Sequence, residues 1–545
     1  MLHFRPRLLD ELRGYDGVKL ASDVSAGLTV AAVALPLAMA FAIASGLKPE
    51  AGLFTAIVAG FLVSALGGSR VQIGGPAGAF VVVVYAIVER YGVANLLLAT
   101  MMAGVLLLLM GVFRLGNLVR FVPVSIVIGF TNGIAVLIIL SQLPDLLGLQ
   151  TGDLPADFFL KLRALARAAP SADPVTVALA VASLGVIWGW PRLWRSGEGA
   201  LPRGLRQVPG TVVGLILGTA AVMLLDLHVA TIGTRFGGIP QSLPPFSWPQ
   251  VGWPEVSLLA GPAFTIALLG SIESLLCARV ADAVVEDRHD PNQELIAQGI
   301  ANIATPLFGG FCATGTIART MTNVRAGAKT PVAGIVHALC LLAIVLVAAP
   351  LATHIPLATL AAVLLYVAYY MGEWHEFARL RQFSNYYRLI LLSTFILTVV
   401  VDLTVAVQVG LVLACLFFIA RISGLTRVEP VENAGRGVEA YRISGSLFFG
   451  AVSKMDGLLD PRRPVPRVMV LDLAQLLNMD TTGLETLQTL HGMLQKRGAV
   501  LILAGLRDQP QGLLARSGLL AKLSAENVVP TLDDALRHAK ELAVS

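Results

Sequence analysis

The sequence predicts a polytopic α-helical membrane protein, with about fourteen segments in two inverted repeats of seven and a C-terminal cytosolic α/β domain. Three observations carry this. Of the 545 residues, 56% are hydrophobic and only 14% charged, against roughly 25% charged in a soluble domain. That excludes a soluble globular enzyme. Apolar runs then follow one another from about residue 24 to residue 422. From about residue 428 the composition turns polar, and strands alternate with helices.

The chain opens on MLHFRPRLLDELRGYD, which is charged and amphipathic and lacks a signal-peptide core. Residues 1–22 are therefore expected to stay in the cytosol. The first seven apolar segments lie at about 24–45, 50–66, 76–89, 94–113, 121–141, 174–190 and 207–226. The second seven lie at about 258–281, 294–308, 314–324, 331–352, 355–371, 387–403 and 404–422. Several are too short to cross about 30 Å of hydrocarbon alone.

Two of these short segments carry the argument. Residues 309–331, GGFCATGTIARTMTNVRAGAKTP, sit deep in the apolar chain yet are full of Gly, Thr, Asn and charge. A short helix is expected to begin near Ala313 and Thr314, with Arg319 on its second turn. Residues 67–80, GGSRVQIGGPAGAF, echo this, with Pro76 suited to the first turn of the next helix. The two stretches are third in each set of seven. Free N–H groups at a helix start form a partial positive pole that can hold an anion. Paired interrupted segments in the two halves of a hydrophobic chain point to a transporter's substrate site.

Orientation follows from the basic residues. With the N-terminus inside, Arg70, Arg114, Arg120, Arg192, Arg195, Arg203, Arg206, Arg288, Arg325, Lys329, Arg379, Arg381 and Arg388 all fall inside. The outer side receives Lys48, Arg90, Arg235 and the group Lys161, Arg163 and Arg167.

VEPVENAGRG, at 428–437, reads as a linker between a transport domain over 23–427 and a small domain over 438–545. In that domain, 438–447, 468–473 and 500–506 read as strands. Residues 482–497 have helical spacing, with Leu484, Leu487, Leu490 and Leu494 on one face, and 509–523 and 532–542 also read as helices. The alternation suggests one sheet covered by helices. Cys277, Cys312, Cys340 and Cys415 lie in apolar stretches without metal or disulfide spacing and read as small core residues. The eight His residues show no metal pairing, and there is no P-loop. No cofactor, metal or nucleic-acid partner is expected.

The motifs DVSAGLTVAAVALPLAMAFA at 23–42, QIGGPAGAF at 72–80, GSIESLLCARVAD at 270–282 and ATGTIARTMTNVRAGAKTP at 313–331 resemble the sulfate permease (SulP) family of anion transporters. VLDLAQLLNMDTTGLETL at 470–487 resembles the STAS domain this family carries. The resemblance implies core and gate domains, an anion between the starts of the third and tenth segments, homodimers, and an elevator motion of core against gate. It implies small anions as substrate: sulfate first, then bicarbonate or a dicarboxylate. A bacterial cytoplasmic (inner) membrane is expected, with both termini cytosolic.

Ala77, Gly78, Ala79, Thr314, Gly315 and Thr316 are the expected helix starts, where small residues let an anion approach the backbone. Their other reading is helix packing. Arg319 is the expected counter-charge, its planar fork suited to oxyanions; the alternative is that it snorkels to the cytosolic interface. Phe41 matches an aromatic position lining the site in relatives, and Leu37 stands where many members have Gln. Glu273 lies mid-span, where an ionisable group is a functional hypothesis by default. In sodium-coupled members an Asp stands here, with a hydroxyl residue four positions on. This chain has Glu273 and Cys277, and neutral Cys is a poor ligand for sodium. Proton coupling through Glu273 is therefore expected, with sodium-coupled bicarbonate symport, or an uncoupled channel or exchanger, as alternatives. Glu273 could instead pair with Arg319 as a structural ion pair. Asp402 reads as a helix cap. Thr482 aligns with the phosphorylatable position of STAS domains in anti-sigma-factor antagonists, or is a plain N-cap.

Overall fold

A computed structural model describes residues 4–117, 122–152, 154–155, 157–193, 208–242, 246–248, 252–460 and 462–544. Arg120, Arg195, Arg203 and Arg206, counted above among the inside charges, lie outside the described residues. The chain divides into two compact units, Met1–Leu411 and Val412–Ser545.

In the first unit, a short α1 (Arg7–Glu11) precedes helices at all fourteen expected segments. The first seven are α2 (Gly17–Ala44), α3 (Pro49–Leu66), α4 (Gly78–Tyr91), α5 (Val93–Val112), α6 (Val124–Leu147), α8 (Pro174–Leu193) and α9 (Gly210–Leu224), with a surface helix α7 (Phe158–Ala168) between α6 and α8. The second seven are α10 (Trp253–Val285), α11 (Pro291–Ala304), α12 (Ile317–Arg325), α13 (Val332–Ala352), α14 (Leu357–Met371), α15 (Asn385–Val400) and α16 (Leu403–Leu425), whose residues continue into the second unit. Among the described residues eight helices are long and apolar enough to cross a bilayer. The two interrupted segments are not: α4 has 14 residues and α12 has 9. At 1.5 Å per residue α12 rises about 13 Å, less than half the hydrocarbon thickness.

Sequence explains the helix ends. Pro49 and Pro291 occupy first-turn positions, where a missing N–H costs nothing. Asp290 caps α11 by accepting from the Asn292 and Gln293 amides. Asp402 accepts from the Val405 amide at 2.9 Å, the cap expected of it. Helices α2–α5 pack with α10–α13, while α6, α8, α9, α14 and α15 pack together. Small residues allow the closest of these contacts. A Cβ on Gly104 of α5 would lie 2.7 Å from the Ile303 nitrogen, and one on Gly299 of α11 would lie 2.5 Å from the Leu108 nitrogen. These two helices touch backbone to backbone. Of the cysteines, Cys277 and Cys312 are buried, but Cys340 is half-buried and Cys415 is exposed. The core reading fails for Cys415, because an apolar position on a spanning helix need not face protein.

The second unit contains β3 (Arg427–Pro430), β4 (Val438–Leu447), β5 (Val468–Asp472), β6 (Leu476–Met479), β7 (Val500–Ala504) and β8 (Val528–Val529). Their order is β3-β4-β5-β7-β8, with β6 also on β4. The stretch read as a linker opens with a strand, since β3 pairs antiparallel with β4 while the β4–β5, β5–β7 and β7–β8 pairs are parallel. Helix α17 (Thr481–Lys496) buries Leu484, Leu487, Leu490 and Leu494, the predicted face, against one side of the sheet. On that side also lies α18 (Asp508–Arg516). Ala535 and Ala539 of α19 (Leu532–Val544) cover the other side, over Val438, Val468 and Ile502.

His491 on α17 is held below the usual histidine range, by burial first and the Lys522 charge second. A depressed value favours the neutral folded form, so its contribution to stability is present above the unfolded histidine value of about 6.5 and lost as pH falls below it. Thermal scans of the C-terminal unit should therefore show a decline on the acid side of pH 6.5 that His491→Gln reduces. An unchanged profile in that variant would remove His491 from the account.

Candidate anion site

The two interrupted segments meet. β1 (Gly74–Gly75) and β2 (Thr314–Gly315) pair antiparallel, Gly74 opposite Gly315 and Gly75 opposite Thr314. Each strand leads into a half-helix, α4 after N-cap Ala77 and α12 after N-cap Thr316, and neither cap side chain fills its helix start. Backbone N–H groups are thus left at both starts. Ala77, Ala79, Thr314 and Thr316 are buried, as are Gly78 and Gly315.

The pairing corrects the predicted helix start. Thr314 and Gly315 are extended, and the Thr316 amide donates to the Ile73 carbonyl at 3.0 Å, so the helix begins only at Ile317. Arg319 therefore lies in the first turn, not the second. Thr314 does not line the helix start: its hydroxyl donates to the Gly270 carbonyl of α10 at 3.0 Å. Pro76 similarly precedes the cap Ala77 and is not in the first turn.

Helix α10 is bolted to the crossing along one face. Besides the Gly270 bond, Gln72 Nε2 donates to Ser274 Oγ at 3.0 Å, and Cys277 Sγ donates to Thr320 Oγ1 at 3.3 Å. Thr320 Oγ1 also accepts from the Ile73 amide at 3.0 Å. Residues 270, 274 and 277 recur at helical spacing, and Glu273 shares that face. Glu273 is half-buried and forms no hydrogen bond or ion pair among the described residues. The Glu273–Arg319 ion pair is therefore not formed.

Arg319 is 1% exposed and is the largest fully buried side chain described. Neither Nη1 nor Nη2 has a hydrogen-bond partner. The snorkelling alternative fails, because the side chain turns inward over β1. A Cβ on Gly75 would lie 2.2 Å from Nη1, and Gly75 has φ +154°. Glycine here leaves room for the guanidinium. A buried cation left unpaired is costly unless an anion compensates it.

Phe41 of α2 is 5% exposed. Its ring edge lies 3.3 Å from where a Cβ on Gly78 would sit, and Met371 Sδ lies at 3.4 Å. Both side chains cover the start of α4. Leu37, one turn earlier, is buried too.

Several participants escape sequence reasoning. His337 on α13 is fully buried, both ring nitrogens unpartnered, against Gly60, whose other neighbour is the Gly74 carbonyl. Glu294, also fully buried, accepts from the Gly68 and Ser69 amides at 3.0 and 3.2 Å and fixes the loop into β1. Asn302 brackets the approach to β2, exchanging bonds with the Ala313 amide and carbonyl at 2.9 Å each. Asp23 accepts from the Lys329 and Thr330 amides and anchors the chain beyond α12. Scanning for metal spacing could not flag these residues, since their partners are distant in sequence. In the second unit, Asp480 caps α17 by accepting from the Gly483 amide. Thr482 is therefore not the cap; it sits half-exposed in the first turn. Among the described residues no group of His, Cys, Asp or Glu is placed to hold a metal ion.

Known proteins share this architecture. The model of the sulfate permease family matches residues 20–394, and that of the STAS domain matches residues 433–535. YvdB of Bacillus subtilis (strain 168), provisionally named a sulfate transporter, is 40% identical over 530 residues, covering 96% of this chain and 98% of its own. The bicarbonate transporter BicA of Picosynechococcus is 30% identical over 550 residues, covering 95% and 94%. The solved transmembrane domain of a cyanobacterial BicA superposes with TM-score 0.64 at 32% identity, over 72% of this chain and 98% of that one. The overall structure of SLC26A9 superposes with TM-score 0.86, over 98% and 93%, and at 17% identity shows the fold alone. With its family match running through both half-helices and the helices that brace them, the chain belongs to the sulfate permease family.

Proposed function

We propose that this membrane transporter carries small anions, sulfate first and bicarbonate or a dicarboxylate next, by proton-coupled elevator-type alternating access. One observation carries the reading: Arg319 is buried without a partner beside two paired helix starts whose caps are open. The anion docks between the starts of α4 and α12, where backbone dipoles and one guanidinium meet it. Ala77, Gly78, Ala79, Gly315 and Thr316 supply backbone, Phe41 closes one side, and Thr314 braces β2.

Glu273, on the face of α10 that touches the crossing, supplies coupling. Protonated, it admits the anion without repulsion; on release the proton leaves with the cargo. Sodium-coupled bicarbonate symport is the second reading; a relative named a bicarbonate transporter supports its anion. Cys277 weighs against it, since its thiol is engaged with Thr320 and suits a hard cation poorly. The remaining assignments are a transport domain over 23–427, a STAS domain over 438–545, a homodimer, both termini cytosolic and a bacterial inner membrane. The charge asymmetry of the loops supports the orientation.

The test is uptake by purified protein in liposomes, with labelled sulfate, bicarbonate and fumarate under an inward proton gradient and then a sodium gradient. Glu273→Gln is expected to lower proton-driven uptake to the level seen without a gradient while retaining anion binding. Proton-driven uptake that survives in the variant, or native uptake that requires sodium, would reject coupling through Glu273.

A further inference from the structure

The basic group Lys161, Arg163 and Arg167 runs against the charge asymmetry of the loops, and the site does not use it. It lies on α7 (Phe158–Ala168), between spanning helices α6 and α8, so both ends of α7 are tethered near a bilayer surface. The buried line of α7 is Lys161 and Leu165. The Lys161 ammonium lies 4.9 Å from the centroid of the Tyr85 ring on α4. The Tyr85 hydroxyl donates to the Leu154 carbonyl in the segment leading to α7. This side of α7 is thus seated on the half-helix that begins at the anion site.

The other side is apolar and basic at once. Phe159, Leu160 and Leu162 are 61%, 54% and 46% exposed. Arg163 and Arg167 are exposed one turn apart beside them. Neither arginine has a hydrogen bond or ion pair among the described residues, and α7 itself contains no acidic residue. An exposed aromatic and aliphatic face edged by unpaired guanidinium groups is unfavourable in water. It fits the boundary between acyl chains and headgroups, where such helices lie in the interface plane. Planar guanidinium groups bind phosphate in a fork, and their stems cover apolar surface.

We propose that α7 is an interfacial helix that holds anionic phospholipid, with Arg163 and Arg167 on headgroup phosphates and Phe159 and Leu162 in the acyl boundary. The basic group on the otherwise charge-poor side is then a lipid contact, and it anchors α4 from its far end through Lys161 and Tyr85.

Hydrogen–deuterium exchange on the full chain tests this without any transport readout, so its outcome is independent of the substrate reading. The chain is placed in nanodiscs of phosphatidylcholine alone, or of phosphatidylcholine with phosphatidylglycerol. Amides of residues 159–168 should exchange about thirtyfold more slowly with phosphatidylglycerol, the combined increment of two basic residues at an anionic surface. Arg163→Gln/Arg167→Gln should lose that slowing yet match the native chain in phosphatidylcholine. Equal exchange of the native chain in both lipids, as expected if a second copy or a soluble partner covers this face, would overturn the proposal. So would undiminished slowing in the double variant.

Discussion

Arg319→Met should cut anion uptake at subsaturating anion by about 10- to 100-fold while leaving the melting temperature of the purified protein unchanged or higher. The two effects separate because the guanidinium is fully buried and neither Nη1 nor Nη2 has a hydrogen-bond partner. Hydrogen bonds to a charged group contribute about 1.5–3 kcal/mol, so losing this cation should weaken anion binding by about 10- to 100-fold. Stability moves the other way. An unpaired buried charge costs several kcal/mol, and an apolar side chain of similar length removes that cost. If Arg319 binds the anion as proposed, stability is given up there for function. Uptake assays and thermal scans decide the matter. Native-like uptake, or a clear fall in melting temperature, would mean that Arg319 is structural.

Gly315→Ala should destabilise the strand crossing by about 1–3 kcal/mol, the usual cost of overpacking a core, and take uptake with it. An added Cβ would lie 1.7 Å from Gln72 Nε2 and 2.7 Å from its Cδ, so the whole amide must move. Gln72 is itself buried and bonded to Ser274, so moving it frees α10 from β1. A compensating change makes the test specific. Gln72→Ala/Gly315→Ala should recover part of the lost stability, because removing the amide makes room for the methyl, and neighbouring substitutions of this kind do not add. A double variant as unstable as the sum of the singles would place the damage elsewhere, in the backbone of β2.

Much of the fold is legible because its cause is local. A run of twenty apolar residues reads as a span wherever it occurs, since every backbone polar group in the bilayer must be satisfied within its own helix. The leucine spacing of α17 and the capping carboxylate of Asp402 are legible for the same reason. Helix α12 begins three residues later than its sequence suggests, because its start is set by a partner about 240 residues away. Nothing in TGTIART states that Thr314 and Gly315 will be held extended by Gly75 and Gly74. Likewise, Thr482 looks like a cap until Asp480 is seen to take the bond.

The sequence by itself determined the number and order of the membrane segments, the break into a C-terminal α/β unit and the two interrupted stretches. Hydrophobic length and backbone satisfaction are properties of a segment, so they can be read along the chain. Only the tertiary structure decided that Arg319 turns inward over Gly75 with no partner, that Glu273 stands apart from it, and that His337 and Glu294 belong to the same neighbourhood. These depend on residues remote in sequence, and burial and pairing are properties of a packed set of elements.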